Sequence, residues 1–233
     1  MPPEPHHFWQ DIAAPGTYSA APAGYLDSYP ASFADGRQLL LPLRVLPGDG
    51  QQAVASLIVN QASFAVEDAL ATAMAEMARP LAPDVIIGVP TLGLPLAGNV
   101  ARRLGHTRMV PLGTSRKFWY RDEYSEPLSS ITSPGHGKTL FVDPRMLPLL
   151  AGRRVVLVDD VISSGSSMAT VLRLLGKCGI EPVGVLAAML QGQAWRDALA
   201  PYVDRIAAPL ASPRFRRTAD GHWIPEAPGE AAA

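Results

Sequence analysis

Val155-Val156-Leu157-Val158-Asp159-Asp160-Val161-Ile162-Ser163-Ser164-Gly165-Ser166-Ser167 is the stretch on which the reading of this chain turns. Its first four residues are β-branched or aliphatic, the composition of a short parallel strand covered on both faces. Two carboxylates stand where that strand ends. Hydroxyls and one glycine follow, and Met168-Ala169-Thr170-Val171-Leu172-Arg173-Leu174-Leu175 then has the apolar spacing of a helix. Strand, acids, small-residue loop and helix in this order build a phosphate site at the carboxyl edge of an α/β sheet. Gly165 lets consecutive backbone N–H groups turn inward as an anion nest, and the helix N-terminus adds partial positive charge. Ser163, Ser164, Ser166 and Ser167 supply hydroxyl donors. At about 1.5–3 kcal/mol for each hydrogen bond to a charged oxygen, a few of them hold a phosphomonoester without a lysine. The loop lacks a Gly-Lys-Ser/Thr ending, which excludes the common triphosphate loop. Carboxylates just before the nest repel a bare phosphate; they suit vicinal hydroxyls, or a Mg²⁺ held directly or through water. A phosphate at one end and a diol at the other describe a ribose 5-phosphate.

Composition bounds the rest. A chain of 233 residues is long enough for one domain with appendages. A net charge of −1 gives no reason to expect nucleic acid or a membrane as partner. No apolar run approaches the roughly 18 residues of a membrane helix, and the N-terminus shows no charged-then-apolar signal pattern. The single Cys178 excludes an internal disulfide, fits a reducing cytoplasm and reads as a core thiol. His6, His7, His106, His136 and His222 have no metal-ligand spacing.

Along the chain, residues 1–30 are rich in Pro, Ala, Gly and Tyr and read as an irregular arm, either disordered or lying on a neighbouring subunit. Gln38 to Val45 and Ala53 to Val59 read as strands around the Pro47-Gly48-Asp49-Gly50 turn, with Pro42 placing the first at an edge. Val66 to Met77 reads as a helix, Val85 to Val89 as a buried strand, Leu94 to Leu104 as a helix and Thr107 to Leu112 as a strand. From Gly113 to Lys138 runs a long irregular, partly aromatic stretch, the profile of a functional lid. Thr139 to Val142, the opening strand and helix, and Val183 to Leu190 continue an alternating β/α pattern. Such alternation predicts a mainly parallel sheet with helices on both faces. Beyond Val203, Ala219-Asp220-Gly221 marks a hairpin turn between Phe215 and Trp223. This divides the chain into the arm at 1–30, a main domain at 31–210, and a hairpin and tail at 211–233.

Asp159-Asp160-Val161-Ile162-Ser163-Ser164-Gly165-Ser166-Ser167, with its strand, resembles the phosphoribosyl-pyrophosphate (PRPP) signature of the type I phosphoribosyltransferases. The resemblance implies that Asp159 and Asp160 face the ribose hydroxyls and a Mg²⁺, that Ser163, Ser164, Gly165, Ser166 and Ser167 wrap the 5-phosphate, and that Val161 lies against the base. It also implies a small hood, from about 38–61 and 190–210, and a flexible lid at about 113–138. Some hypoxanthine-type members carry an aspartate where this chain has Ser163, and a serine cannot act as that carboxylate base.

Three further segments carry the resemblance. Gly88-Val89-Pro90-Thr91-Leu92-Gly93-Leu94-Pro95-Leu96-Ala97 looks like the family's pyrophosphate loop, which implies contacts from Thr91, Leu92 and Gly93 and a non-proline cis peptide near Thr91 or Leu92. Ser115-Arg116-Lys117 is similar to an Ala-Arg-Lys stretch of xanthine phosphoribosyltransferases that contacts pyrophosphate; two cations neutralise that leaving group. Leu57-Ile58-Val59-Asn60-Gln61 is similar to a Phe-Leu-Asn-His-Gln hood segment of the same enzymes, which implies that Asn60 and Gln61 meet the base edge. After the strand ending near Leu190, oxopurine enzymes place a lysine where this chain has Gln191, an amide able to donate or accept. Trp195 either stacks on a base or opens the next helix. Glu123 is the lid carboxylate placed to exchange a proton with the base.

The expected protein is a cytoplasmic, Mg²⁺-dependent transferase that moves ribose 5-phosphate from PRPP to a purine base, adenine or xanthine/hypoxanthine in type, releasing pyrophosphate. A homodimer is the expected state, since lid and arm offer surface to a neighbour. Two alternatives stand beside it: a PRPP-sensing regulator without turnover, and a transferase for orotate or another non-purine acceptor.

Overall fold

Apolar runs bounded by turn residues become strands here, and the computed structural model describes residues 4–19, 21–128 and 138–226. The first strands are β1 (Ser28–Ser32), β2 (Gln38–Val45) and β3 (Gln52–Ala55). Helix α1 (Phe64–Ala78) leads to β4 (Val85–Gly88), α2 (Gly93–Arg103) and β5 (Val110–Pro111). A ribbon of β6 (Ser125–Leu128) and β7 (Lys138–Phe141) precedes β8 (Val155–Ile162), α3 (Ser166–Lys177), β9 (Gly184–Gln191) and α4 (Trp195–Ala198). Then come β10 (Ile206–Ala207), β11 (Leu210–Ser212), β12 (Arg214–Arg217) and β13 (Trp223–Pro225).

The signature strand β8 lies inside a parallel sheet of order β10-β9-β8-β4-β5, with β11 continuing along the carboxyl half of β9. Because side chains alternate along a strand, β8 serves two cores. Val156 and Val158 join α1 and α2 on one face, and Val155 and Leu157 join α3 on the other. The stripe Val66, Leu70, Ala71, Met74, Ala75 and Ala78 gives α1 its buried face. Ser63 caps that helix by accepting the Val66 N–H at 3.2 Å. The result is an α/β domain with a parallel sheet between helices, as the alternating pattern predicts.

The second sheet, the hood, is antiparallel with order β1-β2-β3-β12-β13. Its centre is Phe215, fully buried, with Tyr29 and Tyr25 edge-on at 5.2 and 6.0 Å. The predicted hairpin forms with Arg217 opposite Trp223, and β12 pairs with β3. The 211–226 segment therefore belongs to the hood sheet rather than standing apart; 227–233 lie outside the described residues.

Four expectations are corrected. Pro42 does not sit on an edge strand, because β2 runs between β1 and β3. The position tolerates a residue without an N–H because it faces Ser28, the first residue of β1, where that pairing ends. Its carbonyl is still used: the Ser56 N–H donates to Pro42 O at 2.9 Å, while Ser56 O accepts the Trp9 indole N–H at 2.9 Å. The arm is tied to its own chain rather than loose: Phe8 and Trp9 are buried in the main core, Ala13 exchanges backbone hydrogen bonds with Gln38, and Tyr25 does so with Trp223. Residues 1–3 and 20 of the arm lie outside the described residues. The strand expected over 53–59 stops at Ala55, where the chain turns into a short 3₁₀ turn, Val59–Gln61. Finally, β7 does not extend the parallel sheet but pairs antiparallel with β6, register Ser125 to Phe141, so the stretch read as irregular holds the base of a ribbon. Its middle, 129–137, lies outside the described residues.

Truncating the hood's central ring leaves a cavity that its neighbours cannot fill. Phe215→Ala is expected to cost about 3–5 kcal/mol in urea-monitored unfolding, and a loss below about 1 kcal/mol would show that the hood adds little to the fold.

Candidate functional site

At the carboxyl end of β8 the strand's side-chain alternation brings Asp159 inward, where it is buried beside the first turn of α2. Its Oδ1 accepts the Asp160 N–H at 2.9 Å. Burial, with the Asp160 charge beside it, pushes the Asp159 carboxyl well above the usual carboxylate range. Such a group gains most from a ligand that supplies hydroxyl donors or a cation. Asp160 is half-buried.

The loop then turns through Gly165, whose φ of 82° lies in the left-handed region that glycine tolerates. Helix α3 starts at Ser166; Gly165 before it has no side chain to cap the helix, and the Ser166 N–H donates to Ser164 Oγ at a long 3.4 Å. Ser164 Oγ and Ser166 Oγ lie 3.0 Å apart, and Ser163, Ser164 and Ser167, though not Ser166, face a cavity of about 120 Å³. Asp159, Val161, Ser163, Ser164, Gly165 and Ser167 all line it. That volume is room for several waters, enough for a phosphoryl group. A Cβ on Gly165 would lie 3.1 Å from Trp195 Cα and 3.0 Å from Ala198 Cβ, so α4 backs the loop closely.

The second loop joins β4 to α2. The Pro90–Thr91 peptide is cis, as expected near Thr91. Thr91 is exposed and Leu92 half-buried. Gly93 is the point of contact between the two loops: a Cβ there would lie 2.8 Å from Asp159 Cα, 2.9 Å from Asp159 Oδ1 and 2.9 Å from Val158 O. No side chain fits against that backbone.

The remaining expected site residues are not gathered with these. Arg116 pairs with Asp122 and lines a different, open cavity of about 720 Å³ with Thr114, Ser125, Lys138, Thr139 and Phe141. Lys117 is exposed and, among the described residues, has no ion-pair partner. Glu123 pairs with Arg121 at 3.4 Å on the surface and lines neither cavity. Phe118 is 96% exposed. Trp119 donates its indole N–H to Asp143 Oδ2 at 3.3 Å and lies under the Arg145 guanidinium, 4.4 Å from the ring centre.

Asn60 and Gln61 sit on the Val59–Gln61 turn with exposed side chains. That turn stands at the same sheet edge as Asp159. The other end of α1 leads to Leu81, which packs on Gly184 at the amino end of β9, and α1 runs back from there. Gln191 is not free to read a base edge: it is buried and donates its Nε2 hydrogen to Ala55 O at 2.7 Å, which ties the carboxyl end of β9 to the hood. Trp195 is 2% exposed, donates to Gly192 O and carries the Arg196 guanidinium 4.8 Å above its ring, leaving no face for stacking. It opens α4.

One residue escaped the sequence reading. Glu126 on β6 takes Arg173 Nε at 3.0 Å and Lys177 Nζ at 2.5 Å from α3, and hydrogen bonds from Lys177 first, then Arg173, hold its carboxyl below the usual range. The base of the β6–β7 ribbon is thus fastened to α3, the helix that follows the serine loop. Nothing local marks it, since both partners lie about fifty residues away. Burial raises the Cys178 thiol to about 11, which fits a core role.

Among the described residues no cluster of three His, Cys, Asp or Glu side chains forms a metal cage. Two adjacent carboxylates fit Mg²⁺ that arrives with a phosphate ligand, because this ion is usually held by one or two carboxylates and substrate oxygens.

A family model described as phosphoribosyl transferase domain matches residues 59–208. A hypoxanthine/guanine phosphoribosyltransferase of Methanobacterium lacus is 33% identical over 110 residues, 47% of this chain and 53% of that protein. An adenine phosphoribosyltransferase of Frankia casuarinae is 32% identical over 163 residues, 66% of this chain and 78% of its own. An orotate phosphoribosyltransferase of Xanthomonas euvesicatoria is 32% identical over 107 residues, 46% of this chain and 41% of that protein. The chain thus spans about half the length of the first and third. Among solved structures, an adenine phosphoribosyltransferase of Giardia lamblia, complexed with 9-deazaadenine, shares the fold with a TM-score of 0.59 at 19% identity, over 74% of this chain and 93% of that one.

Two expectations follow from the geometry. Gly93→Ala is expected to force α2 off β8, costing about 1–3 kcal/mol of stability and weakening ligand binding at Asp159 in calorimetry; an unchanged melting temperature would mean the loops do not need this contact. Hydrogen bonds from Arg145 bring the Asp143 carboxyl down from 3.8 to about 2. A depressed folded-state value stabilises the fold above the unfolded value, so Asp143 contributes fully above pH 3.8 and loses its contribution as pH falls toward 2. Acid melts should show Asp143→Asn destabilised at pH 6 and level with the parent near pH 2; an equal deficit at both pH values would contradict this.

Proposed function

The chain belongs to the phosphoribosyltransferase family, and from that premise we propose that it transfers ribose 5-phosphate from PRPP to a purine base, giving a nucleoside monophosphate and pyrophosphate. The observation that carries the proposal is the single cavity shared by Asp159 and the serine loop, with Gly93 of the second loop resting on Asp159. A sugar with phosphates at both ends matches that layout. Ser163 to Ser167 and the first N–H groups of α3 take the 5-phosphate. Asp159 and Asp160 take the ribose hydroxyls. Thr91, Leu92 and Gly93 lie where the pyrophosphate would extend, and Arg116 and Lys117 of the following loop offer cations for its charge.

In the reaction a base nitrogen forms a bond to C1 of the ribose as the bond from C1 to the pyrophosphate oxygen breaks; both electrons of that bond leave with the pyrophosphate, and the proton of the base nitrogen passes to water or to the departing pyrophosphate. The chain's residues hold the two partners in line and stabilise the charge that develops, and most of the acceleration in such a transfer comes from these two effects. Asp159 and Asp160 would hold a Mg²⁺, which would offset the charge of the departing pyrophosphate.

Support for a purine comes from the hypoxanthine/guanine and adenine relatives and from the exposed Asn60 and Gln61 amides. With Gln191 committed to Ala55, those two are the amides on hand for a base edge. The orotate relative makes a pyrimidine acceptor the second reading. The same reading has the protein act in the cytoplasm as a homodimer, with no nucleic-acid or membrane partner; among the described residues no helix is long and apolar enough to cross a membrane.

Incubation with PRPP, Mg²⁺ and one base at a time, with pyrophosphate and nucleotide both measured, tests the proposal. Nucleotide is expected with adenine, hypoxanthine or xanthine and not with orotate. Turnover of orotate alone would replace the purine, and no nucleotide with any base would leave a sensor. Asp160→Asn should lower kcat by about 10²–10³-fold, the range for removing one charge-stabilising group, with an unchanged melting curve; parental rates would take Asp160 out of the site.

A further inference from the structure

The segment between β3 and α1, residues 56–63, carries the Asn60 and Gln61 side chains. It is held at both ends by one dipeptide of the amino-terminal arm. The Trp9 indole N–H donates to Ser56 O at 2.9 Å, where the segment leaves the hood. At its other end the Ser63 N–H donates to Trp9 O at 2.9 Å and the Ser63 hydroxyl to Gln10 O at 2.6 Å. Between them the Gln10 amide donates to Gln61 O at 2.9 Å and, on its own side, to Phe8 O at 3.0 Å. Four groups of Trp9 and Gln10 thus grip the segment, and the Asn60 side chain, between the grips, is exposed.

The dipeptide is itself fixed. Trp9 is 4% exposed, and its φ of 61° lies in the left-handed region that a bulky residue rarely adopts and keeps only where the surroundings hold it. A backbone bent that way turns the indole toward Ser56 while the Trp9 carbonyl faces Ser63. Both residues lie outside the 59–208 match. The segment begins where Gln191 Nε2 meets Ala55 O, directly over the carboxyl end of β9.

We propose that Trp9 and Gln10 are positioning residues for base selection: they set the height and orientation of the Asn60–Gln61 turn over the carboxyl edge of the sheet. This rests on the base-transfer reading above. A turn held at Ser56, Gln61 and Ser63 presents the Asn60 amide in one place, so a purine edge is met without first ordering the loop. Ordering costs that would otherwise be taken from base affinity are met within the fold. The PRPP side is untouched, because none of these groups lines the Asp159 cavity.

Trp9→Phe removes the indole donor and keeps a ring; Gln10→Ala removes the amide and tests the same grip should the first variant fold poorly. Backbone hydrogen exchange over residues 57–62 reads the grip without any turnover. It is expected to speed up about tenfold, the worth of one hydrogen bond, while residues 155–170 stay at parental rates. Steady-state kinetics should then show KM for the purine raised by about the same factor, with KM for PRPP unchanged. Unchanged exchange at 57–62 in both variants would overturn the proposal, as would equal rises in both KM values, which mark general loosening. A parent protein that turns over no base would sink the transferase reading instead, and the exchange result would still decide whether the arm holds the turn.

Discussion

A bare backbone contact organises the site: the first residue of α2, Gly93, lies against the backbone of β8 at Val158 and Asp159, too close for any side chain between them. The contact makes two separate strand-to-helix loops into one surface. It also explains why Asp159 is buried, since the helix covers it, and burial in turn raises its carboxyl. A group so placed is left wanting hydrogen-bond donors or a cation, and the cavity beside it is lined by serines suited to phosphate. Charge preference and shape thus come from one packing event. Gly165 repeats the device on the other side, where the nest is backed by α4 so closely that a Cβ would press on Trp195.

The hood depends on that edge in a different way. It is tied to β9 by Gln191, which gives its amide to Ala55 O, and to the main core by the buried Phe8 and Trp9. The hood therefore moves with the edge rather than hanging from a linker. The lid ribbon is fastened to α3 through Glu126. The serine loop and the hood attachment thus lie at the carboxyl ends of β8 and β9, while the ribbon is fastened to the carboxyl half of α3.

Local chemistry made much of this readable from the residues. Residues 155–167 combine an apolar run, paired acids and a glycine turn within thirteen positions, so the strand, the acids and the loop's own residues all stand in that window. The same holds for the Gly88–Ala97 loop and for the hairpin at Ala219-Asp220-Gly221. What escaped depended on partners far along the chain. Gln191 meets Ala55 across 136 positions, and an amide able to donate to a base looks the same as one that donates to a strand. Trp195 suits a ligand or a core equally by residue type, and only its burial decides between them. Trp9 lies in a Pro- and Ala-rich arm with no periodicity, yet its indole hydrogen bond spans 47 positions and reaches the residue that also serves the Pro42 carbonyl. Arg116, Lys117 and Glu123 are exposed, so no packing in the sequence neighbourhood fixes where they point.

Titration calorimetry of the parent protein with PRPP, Mg²⁺ present, tests the central claim most directly. One molecule of PRPP per chain should bind with measurable heat, and Asp160→Asn should weaken that binding while ribose 5-phosphate still competes for the nest. Absence of any heat with PRPP, from protein whose melting curve shows it folded, would contradict the assignment of the Asp159 edge as a phosphosugar site.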